Sequence, residues 1–118
     1  MRKSVSVLSF NLAVIAIVFL LSTTQKFPVQ AQQKSPSTAE VKIDNFSFGP
    51  AALTVPVGTT ITWTNHDDIP HTVVSTDGVF KSKVLDTDEK FSFTFTKAGE
   101  FPYFCSIHPK MTGKVIVQ

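Results

Sequence analysis

The chain has 118 residues, 42% of them hydrophobic and 17% charged, with a formal net charge of +2 and a single cysteine, which sets a ceiling of one small domain. One cysteine excludes an internal disulfide framework and the multi-thiolate sites of structural zinc and iron–sulfur clusters. Eleven Lys and Arg stand against nine Asp and Glu with no basic run, so the chain lacks the clustered positive surface that nucleic acid requires.

At the amino terminus, Arg2 and Lys3 precede an apolar stretch whose clean part, residues 12–21, carries no polar side chain. Val29-Gln30-Ala31 then supplies a small-x-small site, which completes the layout of a secretory signal over residues 1–31. Ten clean apolar residues fall short of the roughly 20 needed to cross a bilayer. Cleavage takes Arg2, Lys3 and Lys26 away and leaves 87 residues at a net charge of −1. The basic excess therefore belongs to the leader, and the mature protein is expected to be soluble and exported. Its destination is the bacterial periplasm or, in a photosynthetic cell, the thylakoid lumen.

Residues 32–39 are polar, contain Pro36 and read as a disordered lead-in to a domain spanning residues 40–118. From Val41 the periodicity becomes two: Val41 and Ile43 alternate with Lys42 and Asp44, extending to Asn45, and Thr60-Ile61-Thr62-Trp63-Thr64 repeats the pattern after a Pro56-Val57-Gly58 turn that follows Leu53 and Val55. Residues 72–75, 80–84, 91–95, 101–105 and 114–117 are further strand candidates, and no segment sustains helical periodicity. Short strands punctuated by Gly, Pro, Asp and Asn predict an all-β fold, a small sandwich or Greek-key barrel of seven or eight strands. The phenylalanines and Trp63 are assigned to its core.

Once Met1 is removed with the leader, one methionine and one cysteine remain, Met111 and Cys105, and His108 lies midway between them. The run Cys105-Ser106-Ile107-His108-Pro109-Lys110-Met111 is a C-x2-H-x2-M pattern in a loop between two strand candidates. A thiolate, an imidazole and a thioether lack only a second imidazole, which falls to His66 or His71. Two His, one Cys and a weak axial Met form the trigonal set that suits copper, because thiolate and thioether favour the reduced ion while imidazole serves both oxidation states. A domain of this size also gains stability from a bound metal.

Residues 99–115, G-E-F-P-Y-F-C-S-I-H-P-K-M-T-G-K-V, resemble the copper-binding end of the cupredoxins, especially plastocyanin and amicyanin. Upstream, Asn45-Phe46-Ser47-Phe48-Gly49-Pro50, the segment from Val57 to Asn65 and Ile69-Pro70-His71-Thr72-Val73 resemble the first half of that family. The resemblance implies a cupredoxin-like Greek-key sandwich and a single Cu(I)/Cu(II) ion. It selects His71, which follows a proline, as the fourth ligand beside Cys105, His108 and Met111, leaving His66 as a loop histidine. Two residues separate His108 from Met111, as in the short amicyanin loop. Many members carry Asn directly after the first ligand His, where its side chain ties the ligand loops together. Thr72 stands there, and a hydroxyl is expected to make only part of that bracing.

The resemblance further implies a one-electron carrier. Four protein donors leave no open position of the kind that catalytic metals keep for substrate, and no H-x-H pair offers a second copper centre, so the chain is not read as an enzyme. Expected partners are transient redox proteins, such as a c-type cytochrome, a membrane redox complex or a dehydrogenase, met by a monomer through an apolar collar of Ile69, Pro70, Ile107 and Pro109. A copper chaperone and a thiol enzyme using Cys105 with His108 are the rival readings. The lone methionine argues against the first and the lack of an orienting third group against the second.

Overall fold

Period-two alternation from Val41 onward becomes a two-sheet sandwich in the computed structural model, which describes residues 37–118. The expected leader and most of the expected lead-in lie outside the described residues. Eight strands follow in order: β1 (Thr38–Asp44), β2 (Ser47–Gly49), β3 (Ala52–Val55), β4 (Thr60–Asn65), β5 (Val74–Ser75), β6 (Lys90–Thr94), β7 (Gly99–Phe104) and β8 (Thr112–Val117). They form two four-stranded sheets, ordered β2-β1-β4-β6 and β3-β8-β7-β5. β1 runs parallel to β4, with Val41 opposite Trp63 and Ile43 opposite Asn65, and β4 runs antiparallel to β6. In the second sheet β3 is parallel to β8, which is antiparallel to β7.

The core lies between the sheets because each strand turns alternate residues inward. Val41 and Ile43 from β1, Ile61 and Trp63 from β4, Tyr103 from β7 and Val115 and Val117 from β8 are all buried. Each such side chain contributes about 1.5–3 kcal/mol on burial. Trp63 is the hub, with its ring centroid 5.5 Å from that of Tyr103, 5.6 Å from Phe80 and 5.7 Å from Phe91. Gly113 faces Tyr103 across β7 and β8, and a Cβ there would lie 2.4 Å from the Tyr103 ring. The aromatic hub therefore requires glycine at that position.

Several local expectations are corrected. β1 begins at Thr38, which pairs with Thr60, so Thr38 and Ala39 belong to the sheet and not to the lead-in. Asn45 leaves the strand at φ 49°, Phe46 follows at φ 55°, and the two make a hairpin loop to β2 that the alternation did not reveal. Of residues 72–75 only Val74 and Ser75 form a strand. The N–H of Thr72 is taken by Cys105 Sγ and that of Val73 by Ser82 Oγ, so neither enters a ladder. Residues 80–84 alternate only as far as Ser82, since Val84 is exposed, and they join the sheet only through a bridge from Lys81 to Val74, because the Ser82 hydroxyl accepts the bond a ladder carbonyl would take. The assignment of every phenylalanine to the core fails at Phe46, which is 46% exposed.

Candidate metal centre

The site is assembled at one end of the sandwich by two connections. β4 ends in Asn65, which is fully buried and organises the segment that follows. Its Nδ2 donates to the carbonyls of Ile69 and Leu85 at 2.9 Å each, and its Oδ1 accepts from the N–H of Asp67 at 2.9 Å. His71 is then held by reciprocal backbone bonds with Leu85, of 3.0 and 2.7 Å. The second connection, from β7 to β8, closes on itself: Cys105 N–H donates to the Met111 carbonyl at 3.0 Å, and Met111 N–H donates to the His108 carbonyl at 2.9 Å.

These constraints bring His71, Cys105 and His108 together, with one donor atom from each lying within 4.8 Å of the others. Nδ1 of His71 and Nδ1 of His108 each lie 3.7 Å from Cys105 Sγ. His71 and Cys105 are completely buried, while His108 is half-buried. Met111 is buried just before β8, against the core. His66 is exposed and stands outside the cluster, its N–H donating to the Ile43 carbonyl. Around the site Pro70, Ile107 and Pro109 are exposed and Ile69 is half-buried.

Electrostatics prepare the donors. Burial by itself would raise the Asp67 carboxyl, but the N–H of Phe46, the His71 ring and the N–H of Asn45 outweigh it and hold the group below the usual carboxylate value. Asp67 is thus an acceptor at neutral pH, and His71 Nε2–H donates to it at 2.7 Å. That bond orients the ring so that Nδ1 faces the sulfur. Burial likewise opposes ionisation of Cys105, yet the Thr72 N–H, the two imidazoles and the Ile107 N–H bring its thiol from 9.0 down to about 6. The group is therefore largely thiolate at neutral pH, the form that ligates metals.

Thr72 completes the bracing that a hydroxyl was expected to make only in part. Its hydroxyl accepts from the Ser106 N–H at 2.8 Å and shares a 2.7 Å bond with Ser106 Oγ, while its own N–H donates to Cys105 Sγ at 3.3 Å. Ser106 provides the second hydroxyl that makes up the difference.

Sequence reasoning gave no part in the site to Asn65, Phe46 or Asp67. Asp67 sits four residues before His71, a signal that was available. Phe46 occupies the second position of a two-residue turn, where glycine is expected.

The donor set fits a metal ion. With metal–nitrogen bonds of about 2.0 Å and a metal–sulfur bond of about 2.3 Å at trigonal angles, nitrogen and sulfur stand about 3.7 Å apart, which is the separation found on both sides of Cys105. Thiolate, thioether and imidazole together favour copper.

Comparisons with known proteins agree with this geometry. A family model described as a cupredoxin-like domain matches residues 11–117. The chain is 31% identical over 103 residues to an amicyanin of Paracoccus versutus, covering 83% of this chain and 78% of that protein. It is 35% identical over 101 residues to a chloroplastic plastocyanin of Tetradesmus obliquus, covering 71% and 70%. Among solved structures, a purple cupredoxin from Nitrosopumilus maritimus superposes with a TM-score of 0.64 at 36% identity, covering 68% of this chain and 99% of that one. With two sheets of four strands, a buried Cys and His pair beside a half-buried His, and a family match over nearly its whole length, this chain belongs to the cupredoxin-like family.

Proposed function

We propose that the protein is a blue copper electron carrier in which His71, Cys105, His108 and Met111 hold one copper ion. The observation that carries this reading is the placement of two imidazole Nδ1 atoms, each 3.7 Å from the sulfur of the chain's one cysteine. Met111, from the same closed loop, supplies the thioether. Bound copper provides a one-electron Cu(I)/Cu(II) couple.

The residues of the chain keep the donor set nearly unchanged between the two oxidation states. Asp67 orients the His71 ring, and the N–H groups of Thr72 and Ile107 stabilise negative charge on the sulfur. The Asn65 bonds and the reciprocal pairing of His71 with Leu85 fix the first ligand segment, and the Thr72 bonds to Cys105 and Ser106 keep the two ligand loops from drifting apart. A site that moves little on gaining or losing an electron exchanges it with little reorganisation. His108 is the one half-buried member of the donor cluster and gives the electron its shortest way out.

Around His108 the exposed Pro70, Ile107 and Pro109, with half-buried Ile69, suit brief docking of a redox partner, because small apolar contacts form and separate quickly. Asp68 and Lys110 at the rim bias its orientation. Export through the 1–31 leader places this exchange outside the cytoplasm, and the mass of the mature protein tests the cleavage site.

Copper titration of the metal-free protein tests the function. Stoichiometric uptake with intense blue colour and a reversible one-electron reduction is the expected result. Tight, colourless Cu(I) binding would make the protein a chaperone, and no uptake would leave a structural domain.

A further inference from the structure

Asn45 and Phe46 form the loop between β1 and β2, with Asp44 opposite Ser47 across the hairpin, and both have positive φ, 49° and 55°. Two-residue hairpin loops with left-handed residues at both positions favour Asn-Gly, since glycine takes the second position without strain. Asn45 follows the rule. Phe46 breaks it, and a bulky side chain in this region is a genuine outlier. The ring does not offset that strain by entering the core, because it is 46% exposed.

What the ring does touch is the donor cluster. Its centroid lies 5.6 Å from that of His71 and 5.1 Å from that of His108, in both cases at an interplanar angle of 88°. Edge-to-face contact at this range is a favoured aromatic geometry. The loop is pinned from beneath: the Asp67 carboxylate accepts from the N–H of Asn45 at 2.6 Å and of Phe46 at 3.0 Å. His71 has a second anchor on the same carboxylate. Among the described residues, the His108 ring has no hydrogen-bond contact besides Cys105 Sγ, so its orientation depends on packing. Backbone strain retained beside a site points to a role in that site.

We propose that Phe46 is a positioning residue for the metal centre: its ring braces the His108 imidazole against rotation and shields both imidazoles from solvent, held there by Asp67. This rests on the metal-centre reading given above.

Phe46→Gly separates that role from folding, because glycine relieves the left-handed strain while removing the ring. In the metal-free variant the ring-proton NMR signals of His71 and His108 should shift as the Phe46 ring current disappears, and the His108 signals should broaden or average. The thermal midpoint should stay level or rise. After copper loading, a competing chelator should strip the metal from Phe46→Gly at least tenfold faster than from the wild type, with Phe46→Leu in between. Imidazole signals unchanged in the metal-free variant, or stripping rates within twofold of each other, would overturn the proposal. So would a fall in thermal midpoint with both imidazoles undisturbed, since Phe46 would then be a purely structural residue. If the wild type takes up no copper, the metal-centre reading fails instead, and the metal-free spectra still decide the bracing.

Discussion

Thr72 donates its backbone N–H to the sulfur of Cys105 at 3.3 Å, while its hydroxyl takes the N–H of the next residue, Ser106, at 2.8 Å. One residue thereby ties the connection after β4 to the mouth of the loop that carries the other donors. Replacing Thr72 by Val keeps the shape and removes the hydroxyl, leaving the Ser106 N–H short of its partner. The expected loss is about 1–3 kcal/mol of stability, read by urea unfolding of the metal-free protein, together with faster copper loss from the loaded form. Thr72→Asn, which keeps a side-chain acceptor, should recover most of both. A Val variant as stable as the wild type would show that the bridge contributes nothing.

The acidic thiol predicts a pH dependence. Folded Cys105 ionises at about 6, whereas the ordinary thiol value is 9.0, so between these limits the unfolded state binds more protons. Stability of the metal-free protein attributable to this group should be fully present above about pH 9, decline as pH falls, and be gone below about pH 6. Comparing unfolding midpoints of the wild type and Cys105→Ser across that range isolates the contribution, since the serine variant lacks the titrating group. Two parallel curves would refute it. The same substitution should abolish the blue colour on copper addition, because it removes the thiolate.

Gly113 carries a packing prediction. A methyl group there meets the Tyr103 ring at 2.4 Å, and Tyr103 is locked against Trp63 and Phe48. Gly113→Ala should cost about 1–3 kcal/mol through overpacking. Combining it with Tyr103→Leu should cost less than the sum of the two single changes, because the clash disappears with the ring. Strict additivity in thermal or urea unfolding would show that the strand shifts aside at no cost.

Ile107 is 45% exposed on the collar beside half-buried His108. If electrons leave through this face, Ile107→Glu should slow electron self-exchange between oxidised and reduced copies at least tenfold, measured by NMR line broadening, by setting like charges against each other at the contact. The colour should persist, since Ile107 contributes to the sulfur only through its backbone. A self-exchange rate that holds steady would move the exit elsewhere.

Chemistry and fold class were legible in the sequence because both depend on residue type and short-range order. Period two in Val41, Ile43, Ile61 and Trp63 was enough for an all-β sandwich, and the spacing of Cys105, His108 and Met111 placed three soft or borderline donors in one loop. The choice of His71 needed the resemblance, since nothing in the spacing alone ranks it above His66. Tertiary structure decided whatever depends on bonds between distant segments. Thr72 and Val73 read as strand, but their N–H groups are claimed by Cys105 and Ser82, so the strand begins only at Val74. Thr72 read as an incomplete brace until Ser106 was found to complete it across 34 positions. Phe46 carries no local signature of a metal-site role, because its partners are two histidines far along the chain, and Asp67, though only four residues from His71, gains its other partners from the hairpin after β1. Alternation determines which face a residue takes, and only the closed sandwich determines which residues meet at its end.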